Sequence, residues 1–182
     1  MRIKDLALIT LIPTALLLVP LVAMQFTGEV NWSAGDFVVA WILLTGTGLA
    51  YKLLTVGSPH LAFRAGAGLG VVTALLLVWG NLAVGFIGDE GHPANLLYLG
   101  VLLIGLVGAF LSRFRPPGLA LTLCAMAFAQ FMVPLLALVI WQPEIPWNVF
   151  GLNTVFALLF AAAGALCRFA APTQSVTANR NP

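Results

Sequence analysis

Residues 6–26 read LALITLIPTALLLVPLVAMQF, an apolar stretch that contains no charged side chain. A helix of about 20 apolar residues, rising about 1.5 Å per residue, crosses the roughly 30 Å hydrocarbon layer of a bilayer. Comparable stretches recur along the chain, and the six predicted spans are residues 6–26, 36–55, 64–87, 95–112, 118–141 and 148–169. The sequence therefore predicts an all-α fold, an integral membrane bundle of six helices.

The overall composition agrees with this class. Of the 182 residues, 61% are hydrophobic and 8% are charged, which leaves too little polar surface to cover a soluble core. We expect residues 1–171 to form a single transmembrane domain. Residues 172–182, rich in Ser, Thr, Asn and Pro, read as a disordered cytoplasmic tail.

The charged residues are segregated between the two sides of this topology. All eight Lys and Arg residues fall at the ends or in the even-numbered connections: Arg2, Lys4, Lys52, Arg64, Arg113, Arg115, Arg168 and Arg180. Five of the six carboxylates fall in or beside the odd-numbered connections: Glu29, Asp36, Asp89, Glu90 and Glu144. Because cytoplasmic loops carry the excess of Lys and Arg, both termini are predicted to be cytoplasmic. Asp5 alone breaks the pattern.

Part of the sequence repeats at an offset of 59 residues. TALLLV occurs at 14–19 and again at 73–78, and Asp36 corresponds to Asn95 at the same offset. This suggests that the first two spans are duplicated as the third and fourth. Leu-rich segments also match by chance, which is the alternative.

Small and polar residues mark predicted helix contacts and helix starts. Rows of small residues are expected to face other helices, because close approach drives association in lipid. One row is Gly66, Gly70 and Ala74, the second is Gly105, Gly108 and Ser112, and the third is Ala157, Ala161 and Gly164. The residues Asp36, Asn95 and Asn148 stand where helices begin on the outer side, and we interpret them first as helix caps.

Uncharged polar residues lie deep in the spans, whereas no ionisable residue lies at mid-span. Proton-coupled transporters usually keep such a group there, so its absence argues against that class. Asn81, Gln130 and Asn153 are the candidate polar residues. They either hydrogen-bond between helices or line a polar pathway for a solute.

The connection after the third span is the densest polar stretch. It contains Asp89, Glu90, His92 and Asn95, which together with Asp36 form a candidate site on the outer face. Two carboxylates and an imidazole could bind a cation or act as acid and base. A tight turn built with Gly88, Gly91 and Pro93 is the structural alternative.

Motifs for cofactor, metal or nucleic-acid chemistry are absent from the sequence. His60 and His92 fall on opposite sides of the predicted membrane and cannot share one metal or haem iron. Cys124 and Cys167 form no CxxC and read as packing residues. We therefore predict no catalytic, cofactor-binding or metal-binding residue, no cofactor and no nucleic-acid partner.

Three segments carry a resemblance: LVAMQFTGEVNW at 21–32, GDFVVA at 35–40 and VWGNLAVGFIGDEGHPANLLYLG at 78–100. They resemble a group of small multi-pass bacterial inner-membrane proteins of no assigned function, over roughly residues 12–130. The resemblance implies a bacterial inner (cytoplasmic) membrane and supplies no activity or site residue.

These observations favour a non-enzymatic accessory or assembly component that acts through helix contacts. Its partners would be membrane lipid and a second copy or another membrane protein. The alternative is a small channel or carrier for a neutral solute or cation, with the acidic rim Asp36, Asp89, Glu90 and Glu144 above the amides. An enzyme that uses Asp89, Glu90 and His92 is the third class, for which those side chains must converge on a pocket.

Overall fold

The computed structural model of the chain describes residues 3–89, 91–141 and 145–178, with side chains over 4–89, 91–141 and 145–171. Every regular element in those ranges is helical, which confirms the all-α class for them. The six α-helices are α1 (Ile3–Phe26), α2 (Ala34–Thr55), α3 (Leu61–Val84), α4 (Leu96–Leu111), α5 (Pro116–Trp141) and α6 (Trp147–Ala178). A short 3₁₀ turn, Pro93–Asn95, leads into α4.

All six helices of the described ranges are long and apolar enough to cross a membrane. The fourth reaches that length together with its 3₁₀ turn, as Pro93–Leu111. Without water in the hydrocarbon layer, backbone groups must bond internally, and a helix satisfies this requirement within one segment. The chain thus has the helices of a multi-pass membrane protein.

The C-terminal ends of α3 and α6 differ from the predicted spans. The third span was expected to reach residue 87, but α3 ends at Val84 because Gly85 takes φ +59°, a conformation that favours glycine, and donates its N–H to the Asn81 carbonyl at 3.1 Å. At the other end of the chain, α6 continues to Ala178, so the predicted disordered tail is helical over residues 172–178. An established helix extends at little cost by one bond per residue. Residues 179–182 lie outside the described residues.

The chain divides into two compact units, residues 1–53 and residues 54–182. The single transmembrane domain over residues 1–171 stays a prediction. In the N-terminal unit, α1 and α2 are joined by polar contacts. Lys52 Nζ lies 3.0 Å from Asp5 Oδ1, and Trp41 Nε1 donates to Thr14 Oγ1 at 3.1 Å. The carboxylate that broke the sequence pattern is therefore paired with a cation near the end of α2, at the open end of the hairpin.

The start of α2 is capped by a reciprocal pair of hydrogen bonds. Ser33 donates its backbone N–H to Asp36 Oδ2 at 2.7 Å, and Asp36 donates its own N–H to Ser33 Oγ at 3.3 Å. This is a capping box with Ser33 as the N-cap. Asp36 thus contributes to the helix start from the first turn rather than as the cap itself.

In the C-terminal unit, helix packing follows an order that differs from chain order. Helix α6 packs against both α3 and α5, and α4 packs against α5 while making little contact with α3. The core side chains come from all four helices and are nearly inaccessible, among them Phe63, Leu77, Tyr98, Val101, Val133, Phe160, Ala163 and Cys167. The weak contact between α3 and α4 leaves room beside them.

Five of the nine small residues predicted to face other helices lie against a neighbouring helix in this unit. A Cβ on Gly66 of α3 would lie 2.7 Å from the Ala163 carbonyl oxygen of α6. One on Gly108 of α4 would lie 2.5 Å from the Thr122 side chain of α5. At Gly66 a Cβ would collide with the backbone of the neighbouring helix, and at Gly108 the Thr122 side chain would have to shift. The prediction is confirmed for Gly66, Gly70, Gly105, Gly108 and Gly164.

The two copies of the sequence repeat agree in part. Thr14 and Thr73 each donate a hydroxyl to the carbonyl four residues earlier, at 2.8 Å and 2.7 Å. Asp36 and Asn95 differ, since one completes a capping box and the other bonds to a preceding loop. The duplication stays a prediction.

Candidate functional site

A buried hydrogen-bonded network joins three helices of the C-terminal unit. Gln130 of α5 donates from Nε2 to Asn153 Oδ1 of α6 at 2.9 Å. Asn153 donates from Nδ2 to the hydroxyl of Tyr98 in α4 at 3.0 Å and to the Val149 carbonyl at 2.8 Å. All three side chains are 1% exposed or less. Two of the three predicted polar residues are therefore bonded to each other inside the protein.

The physical reason for this pairing is the apolar surroundings. A buried amide without a partner costs several kcal/mol in a hydrocarbon medium, so amides on neighbouring helices bond to each other. One acceptor is left over, because Gln130 Oε1 is buried and has no partner among the described residues. In addition, Pro134 has no N–H and cannot donate to the Gln130 carbonyl as an ordinary helix residue would.

The third predicted polar residue, Asn81, lies elsewhere. It lines a cavity of about 490 Å³ between α3 and α4, together with apolar side chains such as Leu77 and Leu99. Its Oδ1 is buried and makes no hydrogen bond within the described part of the chain. The structure therefore separates Asn81 from the Gln130–Asn153 pair: Asn81 is a lining residue of a cavity, whereas the other two side chains are bonded to each other and buried.

Asn95 organises the loop that follows α3. Its Oδ1 accepts the N–H groups of Phe86 and Ile87 at 3.1 Å and 3.0 Å, and its Nδ2 donates to the carbonyls of Ile87 and Asp89 at 3.1 Å and 2.7 Å. No side-chain bond caps α4. The interpretation of Asn95 as a helix cap was wrong, because its side chain satisfies buried loop groups instead.

The same loop contains the described members of the predicted outer-face site. His92 Nδ1 accepts the Ala94 N–H at 3.2 Å, and the imidazole stands edge-on to Trp141 with ring centroids 6.4 Å apart. Asp89 contributes its backbone carbonyl, which accepts from His92 N at 3.1 Å. Asp89, His92 and Asn95 are thus brought together by backbone and amide bonds, as in the turn alternative.

The other two members of that predicted site are Glu90 and Asp36. Glu90 and the rim residue Glu144 lie outside the described residues. Asp36 belongs to the N-terminal unit, where it bonds to Ser33. Over residues 3–89, 91–141 and 145–178, no group of three His, Cys, Asp or Glu side chains is arranged to hold a metal ion.

Two structural features were not predicted, although the sequence contains a pattern that indicates each of them. Tyr98 follows Asn95 by three residues in an otherwise apolar helix, and an isolated polar ring in such a helix indicates a buried partner. Ser33 and Asp36 have the spacing of a capping box, which marks the start of α2. Cys167 is buried, as expected for a packing residue, whereas Cys124 is exposed.

The fold and site define a class only: a multi-pass helical membrane protein with an internal amide network and a cavity at one helix connection. No protein-family model, curated protein or solved structure matches the chain.

Proposed function

We propose that this protein is a non-enzymatic membrane component, an accessory or assembly subunit that works through lateral helix contacts. The main observation in support of the proposal is a set of three exposed helix glycines that no neighbouring side chain or backbone contacts within the same unit. Gly46 of α2, Gly100 of α4 and Gly151 of α6 are exposed, and a Cβ on any of them would meet nothing within 4 Å. Small residues in membrane helices allow close approach of another helix, and no helix of the same unit lies against these three glycines.

The buried amide network supports the same proposal. A channel or carrier for a polar solute needs its mid-membrane polar groups to face water along a path. Gln130 donates a hydrogen bond to Asn153, and Asn153 donates one to Tyr98. Gln130 and Asn153 are 0% and 1% exposed. Their burial favours a structural role for these amides.

We propose further that the six helices form one bundle in a bacterial inner membrane, with both termini in the cytoplasm. The distribution of the eight Lys and Arg residues supports the orientation. The Lys52–Asp5 ion pair brings the start of α1 and the end of α2 together, so these two ends share one side. The resemblance of residues 21–32, 35–40 and 78–100 to small bacterial inner-membrane proteins supports the location.

The proposal is tested by substituting a larger side chain at each of the three exposed glycines. Gly46→Leu, Gly100→Leu and Gly151→Leu are compared with Val155→Leu, a matched change at an exposed apolar position. A photoreactive amino acid at a neighbouring exposed position reports contact with another protein in intact membranes. We expect protein crosslinks that at least one Gly→Leu variant abolishes and Val155→Leu retains. Crosslinks to lipid alone at all three positions would refute the proposal.

A further inference from the structure

The connection between α3 and α4 contains a hydrogen bond whose acceptor is a titratable side chain. His92 is the N-cap of the 3₁₀ turn Pro93–Asn95, and its Nδ1 accepts the Ala94 N–H at 3.2 Å. An N–H in the first turn of a helix has no partner within that helix, so a capping side chain supplies the acceptor. A ring nitrogen can accept a hydrogen bond only while it bears no proton. This cap therefore depends on the protonation of one atom.

Loss of the cap would affect more than the Ala94 N–H. Ala94 is 0% exposed, and a buried donor without an acceptor destabilises the conformation that contains it. The next residue, Asn95, bonds through its side chain to the backbone of Phe86, Ile87 and Asp89. A change in the turn is therefore expected to reach the loop that follows α3.

The second histidine of the chain provides an internal comparison. His60 precedes α3 with φ −75° and ψ 117°, close to the φ −66° and ψ 126° of His92. The His60 side chain nevertheless makes no cap hydrogen bond, whereas that of His92 does. Of the two imidazoles, only His92 has a cap to lose when it takes up a proton.

The groups that surround the His92 ring leave it as the basic group of the loop. From α5 the ring meets Trp141 edge-on, with centroids 6.4 Å apart, and it lies over Gly88, where a Cβ would be 3.1 Å from His92 Cγ. The cavity that His92 lines contains one other titratable side chain among the described residues, that of Tyr98. Asp89 is the described carboxylate of the loop, and its side chain is exposed. Residues 85–95 contain no Lys or Arg, and the His92 ring is half-buried, so water can reach it.

We propose that His92 is a proton-sensitive cap: proton uptake from water at Nδ1 breaks its bond to Ala94 and loosens the connection between α3 and α4. The protonated ring places an N–H donor and a positive charge against the N–H groups of the turn, and both contacts are repulsive. The switch lies within one chain and does not rest on the proposed assembly function. In the proposed topology it faces the outside of the cell and responds to the pH there.

The test measures the protection of backbone amides at two pH values. Full-length protein in lipid nanodiscs is exchanged into deuterium at about pH 8 and about pH 5.5, between which imidazoles ordinarily change charge. Peptides covering residues 85–97 are analysed by mass spectrometry, with correction for the intrinsic exchange rate at each pH. We expect the protection of these amides to fall about tenfold at the lower pH, the factor for one buried hydrogen bond. Peptides from α5 should keep their protection.

Four variants assign the response to the imidazole. His92→Asn keeps an acceptor oxygen at the cap without a titratable ring, so protection should be high at both pH values. His92→Ala removes the acceptor, so protection should be low at both. His60→Asn, the matched change at the histidine that caps nothing, should keep the wild-type response. The triple variant Asp89→Asn/Glu90→Gln/Glu144→Gln should keep it as well.

Several results would overturn the inference. Equal protection of wild-type residues 85–97 at both pH values would show that no switch operates there. A pH response that persists in His92→Asn, or disappears in the triple carboxylate variant, would place the titrating group elsewhere. An equal loss of protection in all helices would mean general destabilisation by acid. Wild-type protection of His92→Ala at the higher pH would show that the cap does not hold the loop.

Discussion

Gln130 of α5 and Asn153 of α6 are joined by a hydrogen bond of 2.9 Å at a depth where neither side chain is accessible. The bond links two helices whose remaining contacts are apolar and therefore weakly directional. Through Asn153 it extends to Tyr98 on α4, so one amide fixes the rotation of three helices relative to each other.

Replacing Asn153 with Leu should destabilise the protein by about 1–3 kcal/mol, because Gln130 Nε2 and the Tyr98 hydroxyl both lose their buried partner. Thermal unfolding in detergent, followed by circular dichroism, measures the change. Thr154→Val is the matched control on the same helix, because that hydroxyl bonds only to the Phe150 carbonyl of its own helix, at 2.8 Å. An equal effect of both changes would contradict the network.

The double variant Gln130→Leu/Asn153→Leu should be more stable than the sum of the two single effects predicts. Removing both partners leaves fewer buried polar groups unpaired than removing one. We expect a coupling of about 0.5–2 kcal/mol in the double-mutant cycle. Strict additivity would mean that the two amides do not interact.

Gly66→Ala should loosen the contact between α3 and α6. The added methyl group would lie 2.7 Å from the Ala163 carbonyl and 2.8 Å from Cys167 Sγ, and backbone cannot move aside as a flexible side chain does. Overpacking of this kind costs about 1–3 kcal/mol. Gly100→Ala, with open space around it, should leave the melting temperature unchanged or raise it. The reverse order of the two variants would contradict the packing.

Asn95→Leu should open the loop between α3 and α4. The amide protons of Phe86 and Ile87 lose their acceptor, so we expect their deuterium exchange to accelerate about tenfold, the factor for roughly 1.4 kcal/mol. Asn95→Asp keeps the acceptor oxygens and should protect these two amides better than Leu does. If all three proteins exchange alike, the loop is held by other contacts.

The ion pair between Asp5 and Lys52 should tolerate exchange of its charges. Both side chains are partly exposed, so the pair contributes under about 1 kcal/mol. Lys52→Asp alone places two carboxylates together and should lower the melting temperature, and Asp5→Lys/Lys52→Asp should restore it. No recovery in the double variant would show that the two residues are not neighbours in the membrane.

The helices and the glycine contacts could be predicted from sequence, and the pairing of polar residues could not. Apolar length identifies a span by itself, and Gly66 or Gly108 indicates close approach wherever it faces another helix. The partner of Gln130 depends on how α5 and α6 are rotated and which helices are neighbours. Those are properties of the packed unit, and no local pattern in the chain encodes them.

The wrong prediction at Asn95 and the exceptional position of Asp5 have a related cause. An Asn at a helix start fits the rule for capping, but the same side chain reaches back to the Phe86–Asp89 loop, whose buried groups need partners more than an exposed helix end does. Asp5 looked like an exception on the cationic side because its partner, Lys52, is distant in sequence. In both cases a contact between separate segments decides the role.

The proposed function requires this chain to associate laterally with other membrane helices. Its most direct test is the mass of the particle extracted from native membranes in lipid nanodiscs without detergent, measured by native mass spectrometry. We predict a fixed multiple of the chain, or the chain with a second protein in constant ratio. A single chain accompanied only by lipid, at every expression level, would contradict the account.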